Sequence, residues 1–296
     1  MFKSLSDYGR LMRAGMKLAR HDVILPPEFA ARLPLPARLA GQILRVFSGK
    51  PKGRPGERLA AALEELGPAY IKLGQFLATR PDVFGVETTN DLSRLKDKLP
   101  AFETDKAKAQ LKAEFGDMAD VLFPDPGPAV AAASLAQVHK MQTPDGVKAV
   151  KILRPGVEKA IFAEMGAMRR AAQTVEQIDQ EARRLRPVAF VETVAAAMQK
   201  ELDLRLEASG AAEFAEIAKD GNIFNVPEVD WERTGKTVLT TQWIDGIPLT
   251  DTVRLAAHKF DRRDLANKVT QGFLQAAKEF DIDLGAFGVQ TGENVR

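Results

Sequence analysis

Apolar residues recur every three or four positions along most of the chain and switch to strand-like runs only near its middle. At the start, Leu5, Tyr8, Met12 and Met16 recur near helical spacing. Lys3, Arg10, Arg13, Lys17 and Arg20 lie between them against one acid, Asp7. This predicts a basic amphipathic helix. Residues 1–50 read as helical with breaks at Pro26-Pro27, Pro34 and Pro36. A joint follows where glycine and proline alternate with charge, from Gly49 to Gly56. Leu59, Leu63, Leu66, Ile71 and Leu77 then mark a long helical stripe from Glu57 to Thr79, which Gly67-Pro68 must kink or break. Further helices are expected over 90–99 and 104–122.

The texture changes after Phe123, where Pro124-Asp125-Pro126-Gly127-Pro128 reads as a linker. Residues 129–139 and 148–153 suit strands around a turn at Pro144-Asp145-Gly146. A helix is expected over 156–180, and a second, rich in alanine and acids, over 187–219. Residues 231–243 read as a hairpin turning at Thr234-Gly235-Lys236. A last helix is expected over 261–280, and the glycine-rich end has no clear pattern. The result is an α+β chain: a helical front, a small sheet with long helices, then a short helical end.

Composition narrows the chemistry. Apolar residues make up 45% of 296, enough for a sizeable core. Lys plus Arg (42) nearly balance Asp plus Glu (40), so no global field points to nucleic acid. There is no cysteine, which excludes disulfides, zinc–thiolate and iron–sulfur sites and cysteine nucleophiles. No apolar run reaches the ~18–20 residues of a membrane span. The first twenty residues lack the continuous apolar stretch of a secretory signal. Their helix has two readings: a peripheral contact with an anionic membrane surface, or the commoner outcome, a helix packed on its own domain with a solvated basic face.

The order of the middle section carries the candidate chemistry. A loop of small residues, Ala131-Ala132-Ala133-Ser134, precedes a strand lysine, Lys151, in Ala149-Val150-Lys151. An acid-bearing helix and a further strand follow. The same order occurs in the small lobe of a protein kinase, where a loop covers the nucleotide phosphates, a strand lysine touches them and a helix glutamate aims that lysine. Small side chains let backbone N–H groups approach phosphate oxygens, and a fixed ammonium meets their charge. Alone, Ala-Val-Lys is a weak signal, because a lysine at a strand end is usually just solvated. His139 reads as structural, with no acid near it in sequence.

Four segments are more specific. Gly67-Pro68-Ala69-Tyr70-Ile71-Lys72-Leu73-Gly74-Gln75, followed by Thr79-Arg80-Pro81-Asp82, resembles the KxGQ segment of the UbiB/ADCK family of atypical kinase-like ATPases linked to ubiquinone biosynthesis. The run from Ala131 to His139 resembles that family's alanine-rich loop. Arg154-Pro155-Gly156-Val157 also fits, and Lys200 to Ala208 resembles its ExD segment. All four agree in order and spacing.

The resemblance implies a kinase-like small lobe (106–246), an N-terminal helical KxGQ extension (1–105) and only the start of a large lobe (247–296). It implies ATP or ADP with Mg²⁺ as cofactor. Lys151 would touch phosphate and Glu207 would hold it. Lys72 would reach Glu201 and Asp203, and Asp203 and Glu207 would share one helix face. Ala131, Ala132, Ala133 and Ser134 would form the phosphate loop, and backbone groups of Gln242 and Trp243 would meet adenine. It further implies a cytoplasmic protein, peripheral on the inner membrane if the first helix meets lipid, with quinone-pathway enzymes as partners.

The chain departs from that family where a His-x-Asp catalytic loop is expected: His21, His139 and His258 are its only histidines, and none has Asp two positions on. Asp283-Leu284-Gly285 is either the remnant of a metal-binding Asp-Phe-Gly or a chance likeness. No metal ligand is therefore assigned, and enzyme or catalytically dead docking module both stay open. An ordinary protein kinase is disfavoured by the alanine-rich loop and the KxGQ segment.

Overall fold

The computed structural model describes residues 2–23, 52–95, 99–178, 180–221, 225–249, 251–258 and 260–279. The proline-broken stretch after Val23 and the Asp283-Leu284-Gly285 run lie outside the described residues.

Helix α1 spans Phe2–Arg20. The long stripe expected from Glu57 divides into α2 (Pro55–Leu66) and α3 (Pro68–Leu77). Gly67 between them has φ 104°, a conformation that ends a helix and suits glycine, and Pro68 opens the next one where no N–H is needed. Two short helices follow, α4 (Pro81–Phe84) and α5 (Val86–Leu92). The helix expected over 104–122 is interrupted: α6 (Thr104–Phe115) ends at Gly116, a 3₁₀ turn covers Gly116–Met118, and α7 (Ala119–Leu122) completes it.

The strands are β1 (Ala129–Ala132), β2 (Ala136–Thr143), β3 (Gly146–Leu153) and β4 (Val238–Gln242), in one sheet of order β1-β2-β3-β4. Strand β4 runs antiparallel to β3, in a register that sets Lys151 opposite Leu239. The strand expected over 129–139 breaks at Ala133–Leu135. The expected hairpin over 231–243 reduces to β4, a 3₁₀ turn at Trp231–Arg233 and one bridge from Val229 to Thr241. Asp230 explains the change. Its side chain accepts from the backbone N–H of Arg233, which curls the chain into a turn instead of a second strand.

Helices α8 (Val157–Ile178), α9 (Gln180–Arg184), α10 (Pro187–Glu201), α11 (Leu204–Gly221), α12 (Thr252–Ala257) and α13 (Arg262–Glu279) complete the described elements. The single helix expected over 187–219 breaks at Leu202-Asp203. Asp203 accepts from the N–H of Arg205, as a helix-capping aspartate does. Leu202 and Leu204 are buried on either side of it, and the N–H of Leu204 donates to the carbonyl of Lys236. Asp203 and Glu207 therefore do not share a helix face: Asp203 precedes the helix that carries Glu207.

The chain forms two compact units, each assembled from separate stretches. The first holds Met1–Ala107, Ala129–Gln137 and Leu153–Leu202. Its core includes Leu63, Ile71, Leu92, Ile161, Val194 and Met198. The second holds Lys108–Pro128, Val138–Ile152 and Asp203–Arg296, around Leu111, Met141, Val150, Ile152, Leu204 and Val238.

In the first unit, α1 packs on α8 and α2 with the orientation opposite to that expected. Tyr8, Met12 and Met16 point outward, at 66%, 65% and 41% exposure. Ala14 and Ala19 are buried, and Arg10, Arg13 and Lys17 reach groups on the neighbouring helices while Arg20 stays exposed. Arg10 and Arg13 pair with the buried Glu164 of α8, and Lys17 donates to the carbonyl of Glu65 at 2.6 Å. Asp7 meets Arg170 at 2.6 Å. The buried Glu164 of α8 decides this face, because a buried carboxylate needs cations.

Gly74 of α3 lies where a Cβ would meet the side chains of Leu63 and Leu95. Gly74→Ala is therefore expected to overpack the α2–α3 contact and cost about 1–3 kcal/mol. Urea denaturation followed by circular dichroism reads this as a lower midpoint with an unchanged slope.

Candidate functional site

In the first unit, Lys72 points from α3 to the last residue of α10. Its Nζ stands 2.8 Å from Oε2 and 3.0 Å from Oε1 of Glu201. Helices α3 and α10 pack against each other, so the ion pair crosses a formed helix contact. Lys72 is mostly covered and Glu201 is partly open to solvent. Two residues earlier on α3, the Tyr70 hydroxyl donates to Glu164 at 3.1 Å. Burial, and then the Glu164 charge, hold that phenol well above the usual tyrosine range.

The alanine-rich loop belongs to the same unit. Ala131 is exposed at the end of β1 and Ala132 is half-buried. Ala133 donates its N–H to the carbonyl of Ala136 at 2.8 Å, closing a tight turn. Ser134 is fully buried, and its hydroxyl has no hydrogen-bond partner. A phosphate could be met here by backbone, not by that side chain. Arg154, at the end of β3, braces the turn. Its guanidinium donates to the Ala133 carbonyl at 2.9 and 3.1 Å and to the Pro100 carbonyl at 2.8 Å. The sequence marked Arg154 only as part of a matching segment. Its bracing role had no local signal, because both acceptors are backbone carbonyls distant in sequence.

In the second unit, Lys151 of β3 meets Glu207 of α11. Nζ lies 2.7 Å from both carboxylate oxygens, and the pair is partly exposed. One ammonium is thus held by both oxygens of one carboxylate and keeps an exposed side. Asp203 is occupied differently. Arg205 reaches it at 2.6 and 2.9 Å and holds its carboxyl below the usual aspartate range. His139 is fully buried with its Nδ1 2.9 Å from the Gly127 carbonyl, a structural role as read from the sequence.

The segment after β4 is also in this unit. The N–H groups of Gln242 and Trp243 donate to the carbonyls of Glu228 and Val147, at 2.9 and 3.0 Å. The donors expected to meet adenine are therefore engaged within the fold. The N–H groups of Ile244 and Asp245 have no backbone acceptor among the described residues. The Trp243 indole donates to Asp245 at 2.7 Å, and Lys140 lies 4.5 Å above its ring. Beyond them, Ile247, Leu249, Leu255, Phe260 and Leu265 line an open groove of about 480 Å³.

A kinase-like small lobe calls for a strand lysine aimed by a helix glutamate, and Lys151 with Glu207 has that form. A model of the ABC1 atypical kinase-like domain matches residues 94–282. The chain belongs to the ABC1 atypical kinase-like family. Its α+β class is that of this kinase-like fold. Similar ABC1-type proteins include one called probable protein kinase UbiB from Marinobacter nauticus, 35% identical over 273 residues, covering 89% of this chain and 49% of that protein. Another of the same name, from Cellvibrio japonicus, is 34% identical over 277 residues, covering 92% of this chain and 49% of its own. The chain thus spans about half the length of the curated relatives it matches. A solved structure, the complex of Rv3197 with erythromycin from Mycobacterium tuberculosis, aligns with a TM-score of 0.45 at 28% identity, over 73% of this chain and 53% of that one.

Strand register in the ABC1 lobe is supported by a buried charge cluster. Asp230 is reached by Lys148 of β3 at 3.0 Å and by Arg233 at 2.9 Å. Burial alone would raise its carboxyl, but those hydrogen bonds and charges outweigh it, and the group lies below the usual range. Its contribution to stability is then fully present above pH about 4 and lost as pH falls through the lowered folded value. Asp230→Asn is expected to cost about 1–3 kcal/mol at neutral pH and to flatten the acid limb of stability against pH. Denaturation midpoints between pH about 3 and 7 measure both effects.

Proposed function

We propose that the chain carries the nucleotide-handling part of a UbiB-type atypical kinase-like ATPase supporting ubiquinone biosynthesis. The observation behind this reading is the Lys151–Glu207 fork, an ammonium aimed by a carboxylate and open on one side. The names of the similar UbiB proteins support the assignment to that branch. Phosphates of ATP or ADP would meet Lys151. Adenine would meet the free amides of Ile244 and Asp245, with the open groove beyond them, lined by apolar side chains together with Arg254 and His258, receiving the base. Lys72 paired with Glu201 fits the family's KxGQ–ExD arrangement.

Magnesium does not fit the described residues in the same way. Among them, no three His, Cys, Asp or Glu side chains are grouped to hold a metal ion, and Asp203 is engaged by Arg205. Phosphoryl transfer is chiefly positioning and charge neutralisation. The chain by itself is expected to bind nucleotide weakly and not to turn it over, because none of its three histidines stands in a His-x-Asp pattern.

A second reading is a docking module without catalysis. The outward stripe Tyr8, Met12 and Met16 favours it. No described helix is long and apolar enough to cross a membrane, and the cations Arg10 and Arg13 are paired within the fold. A membrane contact through residues 1–20 would then rest mainly on the apolar stripe. Liposome co-sedimentation with and without Met12→Ser and Met16→Ser tests that contact.

Photolabelling with an azido-ATP analogue tests the first reading. Labelling is expected, and Lys151→Ala is expected to lower it by about tenfold, the scale of one charged hydrogen-bonding contact. Labelling that ignores the substitution would remove the phosphate role of Lys151. Hydrolysis above a protein-free blank, lost in Lys151→Ala, would contradict the absence of turnover.

A further inference from the structure

We infer that Glu164 is a positioning residue for Lys72 and that α1 acts as a clasp on the KxGQ helix through it. The carboxylate of Glu164 divides its two oxygens between two helices. Oε1 accepts from Arg10, at 2.9 Å, and from Arg13, both on α1. Oε2 accepts from the Tyr70 hydroxyl on α3, at 3.1 Å. All four side chains belong to one compact unit.

Two points fix α3 against its neighbours. Tyr70 and Lys72 are two residues apart, so they leave the helix in nearly opposite directions, about 200° round its axis. Tyr70 reaches Glu164 on α8, and Lys72 reaches Glu201 on α10. Helices α8 and α10 pack on each other, and α3 packs on both. Rotation of α3 that relaxed one contact would pull on the other. The buried end is the firmer of the two, since Glu164 is 7% exposed and Glu201 lies partly in solvent.

The carboxylate holds its place only while its charge is met. A buried carboxylate that loses its cations becomes costly, and the surroundings rearrange or the group takes up a proton. Arg10 and Arg13 supply that charge from α1. Burial and the Glu164 charge hold the Tyr70 phenol well above the usual tyrosine range, which agrees with a hydroxyl that stays protonated and donating. Anything that lifts α1 would therefore loosen Tyr70 and, through α3, release Lys72 from Glu201. This coupling needs no bound nucleotide and stands independently of the nucleotide-binding proposal.

Amine reactivity reads the position of Lys72 directly. The intact chain is labelled briefly with acetic anhydride, and acetylation at each lysine is measured by mass spectrometry. Lys151, paired in the other unit, serves as the internal reference. Tyr70→Phe keeps the ring and removes the donor. Glu164→Gln keeps the shape and removes the charge. Each is expected to raise acetylation of Lys72 relative to Lys151 by roughly threefold, the size of effect a loosened, partly exposed ion pair permits. Arg10→Lys with Arg13→Lys keeps the charge and should keep Lys72 protected.

A merely structural Glu164 would lower the melting temperature in these variants and leave Lys72 labelling in the folded protein unchanged. That result in Tyr70→Phe overturns the clasp. Should Glu164→Gln fail to fold, Tyr70→Phe decides the matter alone.

Discussion

A carboxylate placed among packed helices must be met by cations and hydrogen-bond donors, and in the first unit that requirement falls on Glu164. Two arginines of α1 and the Tyr70 hydroxyl converge on it. This one demand draws Arg10 and Arg13 of α1 toward α8 and leaves Tyr8, Met12 and Met16 facing out. Apolar transfer alone would favour the reverse, by about 1.5–3 kcal/mol for each fully buried large side chain. The exposed stripe therefore reflects the greater cost of leaving a buried charge unmatched.

The same logic of matched charge recurs around the candidate site. Lys72 is aimed by Glu201, Lys151 by Glu207, and Lys148 and Arg233 by Asp230. The pairs differ in exposure, and that difference separates their roles. Asp230 and Arg233 are closed off and stabilise the strand register. Lys151 keeps an open side. Asp203 is the exception among the acids of the ExD run. It caps α11 and is reached by Arg205, so its local duty is to end one helix and start the next.

Much of the fold was legible because its signals are local. Gly67-Pro68 announces the division of α2 from α3, and Pro144-Asp145-Gly146 announces the turn between β2 and β3. The break at Leu202-Asp203 was not legible, because the surrounding sequence lacks proline and glycine and every residue there tolerates a helix. It is decided by the burial of Leu202 and Leu204 and by the bond from Leu204 to the carbonyl of Lys236. The hairpin expected over 231–243 failed for a related reason. Asp230 offers the backbone a local acceptor, and that acceptor outcompetes a second strand.

The candidate site divides in the same way. The sequence alone named the candidate residues: the lysines 72 and 151, the acids 201, 203 and 207, and the loop of small residues at 131–134. Residue type and order point to them only together with the resemblance of four segments to a kinase-like family, since Ala-Val-Lys by itself is a weak signal. The tertiary structure decided which donors remain free. It closed the amides of Gln242 and Trp243, buried Ser134, gave Asp203 to Arg205 and recruited Arg154 to brace the loop. Each outcome depends on an acceptor or a cation brought close by packing, and helical or strand periodicity holds no record of which distant backbone carbonyl or carboxylate a side chain will meet.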